Sequence, residues 1–168
     1  MVDTALPPIV GQQPIVLILG SMPSQSSLKH QQYYKHPRNS FWWIMSRIFD
    51  FEPSLNYSSR RLKLTQARVA VWDVLYQCRR LGSLDSSIER ESEIANDFPV
   101  WLNEHSTIRA ILFNGKASHT LFKRHHPTCL EGRKIKISQC PSTSPAFAAM
   151  SRQRKLVVWQ HAVNGVST

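Results

Sequence analysis

The stretch IVLILG, residues 15–20, decides the fold that we predict for this chain. It is a continuous apolar run that ends at a glycine, without the alternation of polar and apolar residues typical of a half-exposed strand. Such a run indicates a strand that is buried on both faces of a parallel sheet. The runs VAVWDVLY, residues 69–76, and IRAILFNG, residues 108–115, have the same character. The sequence therefore predicts three strands of one buried sheet.

A helical pattern and an edge-strand pattern accompany these runs. SFWWIMSRIFDF, residues 40–51, places apolar side chains at helical spacing after Pro37, with Asn39 or Ser40 as the candidate N-cap. KIKISQC, residues 134–140, alternates polar and apolar side chains, which suits an edge strand. A fourth strand is therefore expected at the rim of the sheet.

Further helices are expected along the chain. They cover residues 59–68, 94–104 and 116–125, and a last helix is expected to open at Ser144 and Pro145 and to run to about residue 163. Strands that alternate with helices are typical of parallel α/β sheets. The sequence therefore predicts an α/β fold of three layers, α/β/α, around a short central, mostly parallel four-stranded sheet.

The length and composition are those of one domain. A chain of 168 residues with 42% hydrophobic residues can bury its own core, so we expect a single domain, residues 1–168. Residues 1–13 and 165–168 are expected to be flexible, because chain ends are poorly ordered unless they are tied down. No apolar run reaches the ~18 residues of a membrane helix, and no signal peptide is recognisable at the N-terminus. We therefore expect no membrane association.

The cysteines indicate a compartment. The chain has three, and none of them stands in a CxxC motif. This pattern argues for free thiols in a reducing environment and against a zinc or iron–sulfur site. The expected location is intracellular, and neither a metal nor a cofactor is expected.

The net charge of +10 is the first indication of function. Lysine and arginine total 21 against 11 acidic residues, and such an excess favours polyanionic partners through electrostatic steering and counterion release. Nucleic acid is the partner class that the charge favours. A basic protein without such a partner is the alternative that the charge alone leaves open.

Ligands of parallel α/β sheets bind beyond the carboxyl ends of the strands. The first loop there begins with GSMP, residues 20–23, and it has neither the G-x-G-x-x-G nor the G-x-x-x-x-G-K-[ST] pattern of phosphate-binding loops. Nucleoside triphosphates and dinucleotides are therefore not the expected ligands. Gly20 and Pro23 instead indicate a fixed turn that offers backbone N–H groups.

The same loop continues into HQQYYKHPRNSFWW, residues 30–43, which is rich in rings and poor in acids. Tyr34 is a candidate for stacking on a base, and the amide of Asn39 both donates and accepts hydrogen bonds. Considered alone, Asn39 is more typical of a helix N-cap, and residues 41–43 fit the buried start of a helix. His36 is more typical of a polar loop residue than of a metal ligand.

Two later loops carry further candidates. Asn114 suits a hydrogen bond to a base edge and equally suits a turn before Gly115, while Lys116 suits a phosphate contact. PSTSP, residues 141–145, offers hydroxyl and backbone donors to phosphates, and a basic helix follows it. An ordinary proline-bounded turn beside a solvated helix face is the alternative for this region.

Asp73 is the acid most expected to be buried, because it lies within the apolar run VAVWDVLY. It suits a catalytic base, but a structural acceptor for a backbone or tryptophan N–H is the simpler interpretation. The loops hold few carboxylates, which argues against a metal-dependent nuclease. No Ser–His–Asp or Cys–His set can be placed by spacing.

Taken in order, these loops resemble those of the uracil-DNA glycosylase superfamily over residues 15–163. G20-S21-M22-P23 is similar to the superfamily's G-x-x-P motif after the first strand, and P141-S142-T143-S144-P145 to its loop before the last helix. Tyr34 followed by H36-P37-R38-N39-S40-F41-W42 is similar to the mismatch-specific uracil glycosylases. Those enzymes keep a catalytic asparagine where this chain has Met22. The complete set is similar to the hypoxanthine-DNA (deoxyinosine) glycosylase branch.

This resemblance implies a monofunctional DNA glycosylase of base excision repair. Such an enzyme flips a deaminated base, here expected to be hypoxanthine, out of double- or single-stranded DNA and hydrolyses its glycosidic bond, leaving an abasic site. A monomer is expected. A glycosylase for uracil or mismatched bases and a non-catalytic nucleic-acid-binding α/β domain are the alternatives.

The resemblance also implies roles for individual residues. Asn39 is the expected catalytic residue, which holds a water rather than acting as a strong base. The expected base-binding residues are Gly20, Ser21, Met22, Pro23, Tyr34 and Asn114. The expected DNA contacts are His36, Lys116, Pro141, Ser142, Thr143, Ser144, Pro145, Phe147 and Arg152.

Overall fold

The computed structural model describes residues 1–166, which form two sheets and six α-helices. The strands are β1 (Val2–Thr4), β2 (Val16–Gly20), β3 (Val69–Asp73), β4 (Leu75–Arg79), β5 (Ile94–Ala95), β6 (Ala110–Asn114) and β7 (Lys136–Cys140). The α-helices are α1 (Gln25–His30), α2 (Phe41–Ile48), α3 (Tyr57–Gln66), α4 (Phe98–Glu104), α5 (Lys116–His125) and α6 (Arg152–Asn164).

The central sheet confirms the predicted α/β architecture. Its four strands are all parallel and lie in the order β3–β2–β6–β7. Every residue of β2 is buried, as the apolar run predicted, and β7 is the predicted edge strand. Ligand-binding loops at the carboxyl ends of these strands therefore meet at one edge of the sheet.

Successive side chains of β2 point to opposite faces of the sheet and so enter two different cores. Val16 and Ile18 pack with apolar residues of α2, α3 and α6. Leu17 and Leu19 pack with apolar residues of α4 and α5 on the other face. The fold thus has the three layers, α/β/α, that the sequence predicted.

A second sheet was not predicted. It is antiparallel and three-stranded, in the order β1–β4–β5. The run 69–76, expected to form one strand, contributes to both sheets, because β3 ends at Asp73 and β4 begins at Leu75. Apolarity is similar on both sides of this break, so it left no signal in the sequence.

The N-terminal segment 1–13 is tied to this second sheet, so the prediction that it is flexible was wrong. Residues 2–4 pair with residues 77–79 of β4, and the side chains of Leu6 and Ile9 are buried. Asp3 forms a buried ion pair with Arg80, with 2.9 Å between Oδ2 and Nε. At the other end, the backbone N–H of Gly165 bonds to His161 and caps α6, and residues 167–168 lie outside the described part.

Three helix predictions need correction. Residues 21–38, expected to be a loop, contain α1. The helix expected from residue 94 begins at Phe98, because Asp97 caps it by accepting from the Val100 N–H and Pro99 occupies its first turn. The last helix begins at Arg152 rather than at Ser144, since Ser151 accepts from the Arg154 N–H as its N-cap. Within residues 1–166, none of the helices is long and apolar enough to cross a membrane.

Candidate active site

A cavity of about 100 Å³ opens at the carboxyl edge of the central sheet. The loops after β2, β4 and β7 and the last residues of β3 and β6 build it. The structure brings together ten of the predicted site residues in its wall, namely Gly20, Ser21, Met22, Pro23, Tyr34, Asn39, Asn114, Ser142, Thr143 and Ser144. Asp73 and Asp85 also line it, although the sequence assigned them no place there.

Gly20 lies opposite Asp73 in the register of β2 and β3. A side-chain carbon at residue 20 would overlap the Asp73 carboxyl group and would lie 3.2 Å from the Tyr34 hydroxyl. Glycine is therefore needed here so that two side chains can approach the backbone closely. This role differs from that of the glycines in phosphate-binding loops.

Tyr34 forms one wall of the cavity. Its ring stacks on that of Phe41, with centroids 3.9 Å apart and planes inclined by 25°. Its backbone has φ of 54°, a left-handed conformation that is strained in a bulky residue. Its buried hydroxyl makes no hydrogen bond of ordinary geometry among residues 1–166, although the Asn114 side chain lies near it and opposes the rise of its pKa. Burial and the nearby Asp73 raise the pKa of this hydroxyl, so it remains protonated.

Asp73 is the functional candidate that sequence reasoning undervalued. Its side chain is buried, and Oδ2 has no hydrogen-bond partner in the described part of the chain, so the interpretation of this carboxyl as a structural acceptor is not supported at that atom. Burial raises its pKa to about 8, with a further contribution from Asp85 and an opposing one from Arg80. The carboxyl group is therefore mostly protonated at neutral pH and can donate a hydrogen bond.

Asn39 lines the cavity and also bonds to the backbone at the start of a helix. Its side chain is half-buried in the cavity wall, and its Oδ1 accepts from the Phe41 N–H at 2.9 Å, at the start of α2. Ser40 makes no side-chain capping bond to the helix. The capping bond of Asn39 therefore orients its amide group relative to the cavity.

Asn114 and Thr143 are joined by two hydrogen bonds. The Asn114 amide donates to Thr143 Oγ1 at 3.0 Å, and its carbonyl oxygen accepts from the Thr143 N–H at 2.9 Å. The Thr143 carbonyl in turn accepts from the Ser40 N–H at 3.0 Å, next to Asn39. This chain of contacts links the loop after β7 to the start of α2.

Thr143, a predicted DNA contact, has a fully buried side chain in this structure. Its hydroxyl points inward because it accepts the bond from Asn114. Ser142 and Ser144 flank it and are half-buried in the cavity wall. Asn114 lines the cavity and also forms two hydrogen bonds with Thr143. The bonds to Thr143 were not predicted from its position before Gly115.

Lys155 is a buried residue that the sequence did not single out. Its side chain lies below the loop that carries Phe147, and its Nζ donates to the Phe147 carbonyl at 2.8 Å and to the Ser144 carbonyl at 3.4 Å. The same Nζ lies 5.1 Å from the centroid of the Phe147 ring, which is exposed. Burial lowers the pKa of Lys155. This lysine therefore supports the loop from within.

The other predicted contact residues lie outside the cavity wall. Lys116 and Arg152 are exposed at the first positions of α5 and α6, and Arg152 lies over the ring of Trp43. His36 accepts from the Arg38 N–H through Nδ1, and Pro141 accepts from the Trp159 indole N–H. Pro145 is half-buried beside the exposed Phe147. Across residues 1–166, no group of three or more His, Cys, Asp or Glu side chains is placed to hold a metal ion.

Comparison with known proteins gives consistent results. The sequence profile of the uracil DNA glycosylase superfamily matches residues 7–163. A hypoxanthine DNA glycosylase of Methanosarcina barkeri is 34% identical over 119 residues, which cover 70% of this chain and 74% of the relative. A hypoxanthine DNA glycosylase of Methanosarcina acetivorans is 31% identical over 156 residues, which cover 92% and 94% of the two chains.

A solved structure is similar over the same length. It is the solution NMR structure of a protein from Methanosarcina acetivorans, provisionally assigned as a uracil DNA glycosylase. The superposition has a TM-score of 0.78 at 30% sequence identity and covers 97% of this chain and 99% of the other. The likeness therefore extends to both sheets rather than to isolated motifs.

Proposed function

Because the chain belongs to the uracil DNA glycosylase superfamily, we propose that it is a monofunctional DNA glycosylase that releases hypoxanthine from deoxyinosine. Water cleaves the N-glycosidic bond, and the DNA keeps an abasic site. The observation that carries this proposal is the meeting of Asn39, Tyr34 and Asp73 in one small cavity. The two relatives named as hypoxanthine DNA glycosylases support the choice of base.

The size of the cavity supports base flipping. About 100 Å³ at the end of the sheet has no room for a base pair within a duplex. The substrate base therefore leaves the stack and enters alone, which costs a few kcal/mol and costs least for a poorly paired base. We assign to Phe147 the gap that the flipped base leaves in the duplex, because its side chain is exposed.

Recognition of the base uses two different interactions. The Tyr34 ring, held from behind by Phe41, stacks on the base face. The protonated Asp73 carboxyl donates to the exocyclic oxygen of hypoxanthine, and the backbone of Ser21 and Met22 contributes further polar groups. A ligand carbonyl at this point supplies the partner that Asp73 Oδ2 lacks in the protein alone.

Catalysis depends on positioning rather than on a strong base. The departing base leaves a sugar with the character of an oxocarbenium ion, which needs little nucleophilic push. Asn39, oriented by its bond from Phe41, holds the water toward the anomeric carbon. No lysine lines the cavity in residues 1–166, which supports hydrolysis over a covalent lysine intermediate.

The partner and setting follow from this reaction. DNA that contains a damaged base is the substrate, and the protein acts as a monomer in this proposal. A repair enzyme of this kind acts inside the cell, where the DNA is. Neither a cofactor nor a metal enters the proposed reaction.

The test is release of the base from a duplex with a single inosine, detected as strand cleavage in alkali. Asn39→Ala is expected to abolish release, and Asn39→Asp keeps the oxygen that accepts from Phe41 and so separates capping from chemistry. The matched control is Asn56→Ala, since Asn56 caps α3 by accepting from the Ser59 N–H at 2.9 Å outside the cavity.

Each outcome decides between functions. Full activity of Asn39→Ala, or an equal loss in Asn56→Ala, contradicts the role of Asn39. Release from a matched uracil duplex but not from inosine contradicts the choice of base. DNA binding without an abasic product on any duplex of a lesion panel identifies a non-catalytic binding domain.

A further inference from the structure

Two guanidinium groups from different helices lie over one indole ring at the border of the site. Cζ of Arg152, the first residue of α6, is 4.1 Å from the ring centroid of Trp43. Cζ of Arg47 is 5.6 Å from the same centroid, one helical turn beyond Trp43 in α2. Trp43 is half-buried, and both arginines are exposed. We call these three residues the Arg–Trp–Arg stack.

Neither arginine of the stack is neutralised by an acid. The ion pairs of the described chain involve Arg79, Arg80, Arg124 and His125 instead. Two like charges near one ring repel each other. The indole face holds the guanidinium planes while their N–H groups stay free to donate. Such an arrangement matches an anion with several acceptor oxygens.

The stack lies at the edge of the sheet that carries the cavity. Trp43 is in the first turn of α2, which begins two residues after Asn39, and Arg152 follows the loop that carries Phe147. Both helices cover the same face of the sheet, whereas Lys116 begins α5 on the other face. DNA bound over the cavity would therefore extend past the Arg–Trp–Arg stack on the side of α2 and α6.

We propose that the Arg–Trp–Arg stack is a binding site for backbone phosphates of the DNA flanking the flipped nucleotide. This proposal rests on DNA as the substrate but not on the identity of the base or on the role of Asn39. The guanidinium groups supply paired donors to the phosphate oxygens, and Trp43 keeps both groups in place before DNA arrives.

The salt dependence of DNA binding tests the proposal. Affinity for an undamaged duplex is measured over a range of salt concentrations for the full chain and for Arg47→Ala/Arg152→Ala. The slope of log K against log salt is negative, and each lost phosphate contact makes it less steep by about 0.9. The slope of the double variant should therefore be less steep by about 1.8. Arg109→Ala is the matched control, because Arg109 is exposed just before β6, at the opposite edge of the sheet.

A second variant separates the contribution of the Trp43 ring from that of the two arginine charges. Trp43→Leu keeps both arginines but removes the ring, and it should weaken binding several-fold at constant salt with the fold retained in thermal unfolding. An unchanged slope in the double variant, or an equal decrease in Arg109→Ala, overturns the proposal. Because undamaged DNA is the probe, loss of base release in another variant has no bearing on this result.

Discussion

The carboxyl group of Asp73 and the hydroxyl of Tyr34 both approach the position that a side-chain carbon of residue 20 would occupy, and only glycine leaves that space open. Both groups are buried, and neither Asp73 Oδ2 nor the Tyr34 hydroxyl has a hydrogen-bond partner within residues 1–166. An unpaired buried polar group costs about 1–3 kcal/mol. These two buried polar atoms therefore favour a ligand with an acceptor oxygen, such as the base carbonyl of the proposed reaction.

Tyr34→Phe tests this cost directly. The substitution removes only the unpartnered hydroxyl and keeps the ring on Phe41, so the free energy of unfolding should rise by about 1 kcal/mol. Tyr34→Leu removes the ring as well and should weaken base release by the ~1–3 kcal/mol of a stacked base. Urea unfolding and single-turnover release measure the two effects. A less stable Tyr34→Phe protein would show that the hydroxyl has a partner in solution.

The pH dependence of base release should follow the protonation of Asp73. Its pKa of about 8 makes it a donor below that pH and an anion above it. The titratable and charged groups near it are Tyr34, Asp85 and Arg80. Release from an inosine duplex should therefore fall as the pH rises through about 8. Asp73→Asn carries a permanent N–H donor and should flatten this fall. If release instead rises through the same range, Asp73 acts as a base.

The Asp73 carboxyl group should also make the fold less stable at higher pH. An unfolded aspartate ionises near ~3.9, whereas the folded pKa is about 8 because of burial. Between these values the folded protein holds a proton that the unfolded chain releases, so the free energy of unfolding declines as the pH rises from about 4 to 8. Asp73→Asn should remove this decline in urea titrations. A decline of equal size in the variant would assign it to other groups.

Thr143 should link the stability of the loop to catalysis. Thr143→Val keeps the shape but leaves the Asn114 amide without its acceptor, which should cost about 1–3 kcal/mol of unfolding free energy. Base release should fall too, because the Thr143 carbonyl holds the Ser40 N–H beside Asn39. Thr143→Ser retains the hydroxyl and serves as the control. Equal losses in both variants would show that the hydrogen bond between Asn114 and the Thr143 hydroxyl is not the cause, because Thr143→Ser keeps that bond.

Lys155 should hold the loop that carries Phe147. Lys155→Met has a similar length but leaves the carbonyls of Ser144 and Phe147 without a donor, so amide exchange in residues 144–147 should accelerate. Base release should decline as the loop loses its fixed form. The control Arg154→Met changes an exposed neighbour on the same helix. Unchanged exchange in Lys155→Met would show that the loop is held by other contacts.

Local patterns predicted the central sheet and the site loops well. The apolar runs that became β2 and β6, and the alternation that became β7, report burial directly, because strand side chains alternate between faces. The place of Gly20, Tyr34 and Asn39 in or beside the loop after one buried strand, together with the resemblance to the glycosylase motifs, indicated a shared pocket wall, and the three residues line one cavity. These features depend on neighbours in sequence, so one chain is enough to recognise them.

The second sheet and the α6 boundary were beyond such patterns. Residues 2–4 show no strand signal of their own, and they are ordered because they pair with β4, more than seventy positions away along the chain. The start of α6 depends on whether Ser144 or Ser151 is the N-cap residue, and serine is a preferred N-cap at either position. Long-range strand pairing formed the second sheet, and the conformation of the loop before α6 set the start of that helix.

The sequence by itself determined the layered α/β fold, the edge of the sheet where the cavity opens and the loops that surround it. Only the tertiary structure decided the state of those residues. The raised pKa of Asp73, the inward hydroxyl of Thr143 and the buried amine of Lys155 all depend on how much water the assembled loops exclude. Desolvation is a property of the packed surroundings rather than of the residue, and no spacing along the chain encodes it.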